Sequence, residues 1–445
     1  MAPAYSGRPD IPPINASGMS IDCQVEYSHD CGLHQAQMTP SPDALRPRFR
    51  PALAAGFLLV SQCFAQPANA ERLESLSADV GYGHYYDSNL YRVGDGRTGP
   101  NGKRHDNVTT ASAGLHFNQT YSRQRLSASL GVERNRYAVN SNLDHNAHDA
   151  RAAWDWELGK RWSGRFSYDS IEKLAGFDDF VDTERSINTY RRKAGEARFM
   201  WHPSWSVGLG VDDATNRFTG ETRRSAEFDA RTVILSLGWH PASGNKLGVS
   251  YHDSDGTYIN RPKTAGSTRE YQQRELRLNT RWQMTGAIRM SGYIGQTRRS
   301  YDLAPNRDFS GPTGRLEFDW TPTGKLAVNL ALRREIGSED DLVTTFAVTR
   351  AVKISPSWAI TDKVTLGAEY QRWRRDFRGD SGLSVAPEDL PSRDDVTQRY
   401  GLSLRYKPID ALTLTVMLRH QERNAKTASR EYESDSASVS VRFAF

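Results

Sequence analysis

The chain has 445 residues, of which 25% are charged, with a net charge of +5 and a mean hydropathy of −0.67. So polar a chain excludes a bundle of apolar transmembrane helices. A pI near 9.0 is too modest to indicate nucleic acid, and no phosphate-binding glycine loop follows any strand-like segment.

One apolar run stands out near the amino terminus, at 51–63. At about a dozen residues it is too short to span a bilayer but suits the apolar region of a signal peptide. Arg46, Arg48 and Arg50 precede it as a basic region, and Ala68-Asn69-Ala70 follows as a small-x-small cleavage site. We therefore expect a signal peptide at 38–70, starting at Met38, with 1–37 a misassigned start or leader extension and a barrel at 71–445. Cys23, Cys31 and Cys63 all precede the cleavage site, so the exported chain carries no thiol. Gln62 occupies the place where a lipoprotein signal needs a small residue, which argues against lipidation.

From there on, apolar residues two apart recur in short segments. They lie at 76–82, 109–117, 126–132, 150–158, 162–168, 197–201, 205–211, 233–239 and 247–251. Nine more follow at 276–282, 288–294, 316–320, 326–332, 346–354, 364–370, 400–406, 412–418 and 437–445. Strict alternation puts apolar side chains on one face of a strand and polar ones on the other, which suits a wall with lipid outside and water inside. The last segment shows it clearly: Ala437, Val439, Val441, Phe443 and Phe445 share one face, Ser438, Ser440 and Arg442 the other. Eighteen segments make an even number, as a single-chain bacterial barrel has. The expected fold is all-β, a transmembrane antiparallel up-and-down β-barrel of 18 strands, with 16 as the alternative, both termini periplasmic, and the last strand closing on the first.

Connector lengths alternate as well. Short turns at 159–161, 202–204, 240–246, 283–287, 321–325 and 407–411 contrast with long polar stretches at 86–107, 172–190, 253–270 and 373–395. Short periplasmic turns and long extracellular loops are the usual asymmetry of outer-membrane barrels. An aromatic followed closely by proline recurs at the short turns, at Trp201, Trp239, Trp320 and Tyr406. Proline cannot donate a ladder hydrogen bond and so suits a strand end, while the aromatic suits the lipid headgroup level. Trp156, Trp201, Trp239, Trp282, Trp320 and Tyr406 are therefore expected to form an aromatic girdle. A soluble β-propeller also repeats near 40 residues, but each blade needs four strands where each period here holds two.

Parity assigns a lumen face carrying Arg165, Glu196, Arg198, Arg277, Arg281, Arg289, Arg315, Glu317, Asp319, Arg333, Arg405, Arg419 and Arg442. These residues fit two readings: bracing of the wall by arginine–carboxylate pairs, or a passage favouring anionic or hydroxylated solutes. Enzyme chemistry is not expected. His252-Asp253-Ser254-Asp255 holds a base and a nucleophile, yet polar turn composition explains it better. His145 and His148, three apart in an expected loop, and Asp178, Asp179 and Asp182 are weak candidates for metal, and no metal or cofactor is expected.

After the first strand, Tyr85-Tyr86-Asp87-Ser88-Asn89-Leu90-Tyr91-Arg92 resembles the aromatic-Asp-(Asp/Ser)-Asn-(Leu/Ile)-aromatic-Arg segment of a family of outer-membrane β-barrel porins, including barrels encoded with exopolysaccharide biosynthesis operons. The resemblance covers the mature chain in length, leader and aromatic terminus, with this segment, and in it Asp87, Asn89, Tyr91 and Arg92, as its motif. It implies a route for a secreted exopolysaccharide across the bacterial outer membrane, working with a separate periplasmic polysaccharide-export protein, after export through the cleaved signal peptide. It also implies that Phe445 is an assembly signal read by the outer-membrane insertion machinery. A general diffusion porin, or a structural barrel with no dedicated polymer, is the alternative. The partners expected are membrane lipid, the transported polysaccharide and the export and insertion proteins, with no nucleic acid. Asp87 and Asn89 also suit an Asx-type turn at the loop start, a structural role for the same segment.

Overall fold

The computed structural model describes residues 75–178, 182–264, 266–338, 346–378, 394–426 and 430–445. The signal peptide and the three cysteines lie outside the described residues. Eighteen strands follow one another in chain order. They are β1 (Leu76–Asp87), β2 (Asp106–Tyr121), β3 (Gln124–Tyr137), β4 (His145–Leu158), β5 (Trp162–Leu174) and β6 (Ile187–His202). Next come β7 (Trp205–Phe218), β8 (Phe228–Trp239), β9 (Lys246–Tyr258), β10 (Glu270–Gln283), β11 (Ile288–Ser300) and β12 (Phe309–Trp320). The last are β13 (Leu326–Ser338), β14 (Phe346–Ala359), β15 (Val364–Arg378), β16 (Asp394–Ile409), β17 (Leu412–Ala425) and β18 (Tyr432–Ala444).

Each strand pairs antiparallel with the next, and β18 pairs with β1 from Asp79↔Ala444 to Asp87↔Ser436, so the sheet closes without an edge. Closure pairs the backbone around the whole wall, as a β-structure needs in lipid, with β12 and β13 parting beyond Gly314↔Arg334 toward the long loops. Phe445 continues the seam, donating its backbone N–H to the Ala78 carbonyl at 2.7 Å. Both ends of the described barrel therefore sit on the rim of the short turns.

All eighteen alternating segments fall on one strand each, in the expected order. The strands run further than the alternation on the long-loop side. β9 continues to Tyr258 and β10 begins at Glu270, so the expected loop 253–270 shrinks to 259–269, and β4 already begins at His145. The reason is chemical: near this rim the outward side chains become charged, as in Arg217–Asp229 at 2.6 Å and Arg231–Asp213 at 3.6 Å. The apolar period ends there while the backbone ladder continues.

The outer face below that level is an aliphatic and aromatic belt. Leu209, Leu235, Leu276 and Ile294 are each more than half exposed, with Val207, Val233 and Leu278 beside them, and Leu402 and Leu418 continue the belt on β16 and β17. Continuous apolar exposure of this extent marks a membrane-facing surface. No helix among the described residues is long and apolar enough to cross a membrane. The packed interior lies inside the barrel toward the long loops, where Phe228, Tyr258, Tyr271 and Tyr301 form one buried cluster. Loop residues Leu90, Tyr91, Leu143 and Phe177 form a second.

Candidate functional site: the inner wall and a latched loop

The cross-strand register places Arg165, Glu196, Arg198, Arg277, Arg281, Arg289, Arg315, Glu317, Asp319, Arg333, Arg405, Arg419 and Arg442 on one side of the sheet, opposite the exposed aliphatic belt. They are not equivalent there. Arg277 donates to Glu275 at 2.7 Å, lies 4.0 Å from the Tyr293 ring centre, and is buried. Arg315 pairs with Glu317 at 3.0 Å, Arg333 with Glu335 at 3.5 Å and Arg165 with Asp155 at 3.4 Å. Arg442 pairs with Asp79 at 2.6 Å, which carries an ion pair across the closing seam between β18 and β1. For these five arginines the geometry is that of wall bracing.

A different pattern appears near the short-turn mouth. Lys246 stands directly opposite Arg281 on β10, and Arg198 on β6 acts electrostatically on the same lysine, across the small residues Ser206 and Gly208 of β7. Arg289 on β11 acts on Arg281 in turn. Arg198, Lys246, Arg281 and Arg289 thus form a run of cations that repel one another, relieved by Glu196 and by Asp319, which faces Arg289 in the register. Lys246 is not among the residues expected from sequence, because it closes the segment read as the turn 240–246. Extending the parity of β9 by one residue would have found it.

At the opposite mouth, the described residues that follow β5 in the loop toward β6 contact the closing strands. Asp178 in this loop reaches β17 and β18, accepting from the Tyr432 hydroxyl at 2.8 Å and the Gln421 amide at 3.0 Å. Its backbone carbonyl accepts from Arg423, and its carboxylate from Arg92 Nε at 3.3 Å. Arg92 in turn donates to Asp87 at 2.9 Å, and Asp87 also accepts from Ser434 at 2.7 Å and from the Asn89 backbone N–H at 2.9 Å. The last bond is the Asx turn expected from the segment. Asn89 continues the turn by donating to the Val93 carbonyl at 2.8 Å and to that of Glu433 at 2.9 Å. Tyr91 packs tilted against Phe177 at 4.7 Å, and Gly99 lies so close that a Cβ there would meet the Tyr91 ring at 2.7 Å.

The motif residues Asp87, Asn89, Tyr91 and Arg92 are therefore an anchor for an inward-folded loop. Arg92 holds a left-handed φ of 53°, unusual for a side chain of its size, and its bonds to Asp87, Asp178 and the Asn89 carbonyl hold it there. Burial alone would raise the Asp178 carboxyl, but the Arg92 and Arg423 guanidiniums and the Tyr432 hydroxyl override it and hold the group well below the usual carboxylate range. Burial disfavours the Arg92 charge, and Asp87 and Asp178 more than restore it, so its pKa is raised.

Other expected sites change character. His145 and His148 are on strand β4 rather than in a loop and, three residues apart, point to opposite faces, so one metal cannot bridge them. Asp178 and Asp182 turn to different arginines, Asp182 pairing with Arg223 at 2.9 Å, and Asp179 lies outside the described residues. His252 bonds Ser250 at 2.9 Å while Ser254 bonds Thr232 at 2.8 Å, and Asp253 lies on the other face of β9. Trp156, Trp201, Trp239, Trp282, Trp320 and Tyr406 all sit near the short-turn ends of their strands. Trp239 and Trp282 approach at 6.5 Å, and Trp201 is the most exposed of the set. Phe445 packs edge-on against Phe443 at 4.9 Å. Trp373, at the long-loop rim, faces inward and is buried under Arg399 at 5.0 Å.

Residues 254–445 match the family described as "Putative beta-barrel porin 2". The matched part starts inside β9 and runs through the closing strand, so it does not include the 85–92 segment. Among solved structures, the outer membrane protein OpdK of Pseudomonas aeruginosa aligns with a TM-score of 0.45 at 10% identity, covering 84% of this chain and 100% of that one. OccAB3 of Acinetobacter baumannii aligns at 0.44 with 10% identity over 83% and 99% of the two chains. A BenF-like porin of Pseudomonas fluorescens aligns at 0.46 with 10% identity over 84% and 99%. No curated protein sequence matches the chain.

Proposed function

We propose that the chain is a passive channel of the bacterial outer membrane for anionic, hydroxylated cargo, set with its short-turn mouth toward the periplasm. The observation that carries this reading is the run Arg198, Lys246, Arg281 and Arg289 just inside that mouth. Cations held against their mutual repulsion attract an anion, and guanidinium groups meet carboxylates bidentately. A secreted acidic exopolysaccharide, delivered by a separate periplasmic export protein, would meet this run first. The resemblance of Tyr85 to Arg92 to barrels of exopolysaccharide operons supports the same cargo. A general diffusion porin is the second reading, favoured by the description of the family that residues 254–445 match.

In planar bilayers the channel is expected to be anion-selective, and an acidic polysaccharide added on the short-turn side should block current at lower concentration than on the loop side. Cation selectivity, or block that is equal from both sides, overturns the directional reading. Deleting the gene should abolish secreted polymer with small-solute uptake unchanged. Normal secretion in that strain leaves the diffusion porin as the function.

A further inference from the structure

On the outside of the barrel, near the long-loop rim, three arginines stand side by side on adjacent strands. Arg334 on β13 is directly opposite Arg350 on β14, and Arg350 is directly opposite Arg374 on β15. Arg372 lies on the same outer face, paired in register with Val352. Like charges directly opposite across a sheet destabilise it unless something of opposite charge lies between them. Elsewhere on this rim several outward arginines meet carboxylates, as Arg217 does Asp229, Arg231 does Asp213 and Arg274 does Asp253. Here Arg374, at one end of the row, pairs with Asp394, and Arg334, at the other, donates among its contacts to the Pro312 carbonyl. Arg350 and Arg372 are exposed and carry no ion pair among the described residues.

Directly below the row is a groove of about 540 Å³ whose floor is aliphatic, formed by Ile294, Leu316, Leu332 and Val352. A cationic shelf above an apolar trough on a membrane-facing wall suits one kind of ligand, with negative charge at headgroup height and hydrocarbon beneath it. We infer that this groove binds a phosphorylated glycolipid of the outer leaflet, its phosphates between Arg350 and its neighbours and its acyl chains on the aliphatic floor. More than one phosphate on a sugar headgroup matches a row of cations better than the single phosphate of an ordinary phospholipid. The assignment to the outer leaflet rests on the proposed orientation.

The test is native mass spectrometry of the whole barrel, purified and exchanged through detergent, with added bis-phosphorylated lipid A or, separately, phosphatidylglycerol. The wild-type barrel should retain one lipid A, Arg350→Gln/Arg372→Gln should retain at least tenfold less, and Arg298→Gln, outward on β11 but outside the groove, should match wild type. The single substitutions Arg350→Gln and Arg372→Gln, each checked for the heat-modifiable gel shift of a folded barrel, should each show part of the loss. Equal retention by all variants, no retention by any, or equal retention of phosphatidylglycerol overturns the proposal. Orientation is read apart from this by labelling Ser141→Cys, in an exposed turn at the same rim, on intact cells. Labelling only after permeabilisation overturns the outer-leaflet assignment, and because retention needs no current, a failed conductance reading leaves it standing.

Discussion

The two ends of the barrel solve opposite problems. Toward the short turns the wall is regular: apolar side chains face out, small and charged ones face in, and the turns are only a few residues long. Toward the long loops the outer face turns polar, and the inside fills with buried charge, including Arg223, Arg299, Arg375 and Arg423. Stability at the first end comes from a closed ladder in lipid, and at the second from paired ions and aromatics packed at tilted angles. The first kind of order repeats along the chain, whereas the second depends on contacts between distant segments.

This difference decides what could be read in advance. A period of two marked all eighteen strands and put Leu276 and Leu278 outside with Arg277 between them inside. It could not announce that Arg277 is spent on Glu275 and Tyr293, because the alternation says which face a side chain takes and nothing about its partner. The Asx turn of Asp87 and Asn89 was legible because it is local. The latch was not: Asp178 meets Arg423 across 245 positions, and no spacing rule links them. Lys246 was missed at a strand boundary, where periodicity is weakest.

Breaking the latch should produce the largest effect and separate the two ends most clearly. Arg92→Ala leaves Asp87, which is 1% exposed, without its cation. Removing one partner of a buried pair typically costs about 3–5 kcal/mol, and the lower part of that range is expected because Asp178 keeps some solvent contact. Urea unfolding of the detergent-solubilised barrel should show the loss, with raised and noisier single-channel conductance as the loop detaches. Unchanged conductance would mean that the loop does not limit the pore.

Deleting Phe445 acts at the other end. It removes the last carbonyl and amide of the seam to Ala78 and the ring packed on Phe443. The amount of inserted barrel in isolated membranes should fall, while the barrel that does insert keeps wild-type ion selectivity. A selectivity change would move Phe445 from assembly into the conduction path.

Selectivity itself should respond at the basic run and not at the braced arginines. Arg281→Glu/Arg289→Glu reverses two charges near the short-turn mouth. Two unit charges in water interact by about 1 kcal/mol at 4 Å and about half that at 8 Å, so a shift of about twofold in the anion-to-cation permeability ratio is expected from reversal potentials. Arg277→Gln is expected to act differently, leaving Glu275 buried without its cation and lowering stability before it alters permeability.

The smallest expected effect is an absence of response to mild acid. The Asp178 carboxyl is held well below its unfolded value, so the latch contributes stability that is fully present above that unfolded value, near 3.9 for an aspartate, and is lost only as pH falls through the lower folded pKa. Conductance should therefore stay flat from about pH 8 to about pH 4, since the Asp178 carboxylate keeps its charge over that range. Asp178→Asn keeps a hydrogen-bonding side chain but removes the charge that Arg92 and Arg423 meet, and should give the loosened conductance at every pH in that range. If wild-type current instead rises as pH falls through 6, a group other than Asp178 controls the mouth, and the ion pair is bracing rather than a latch.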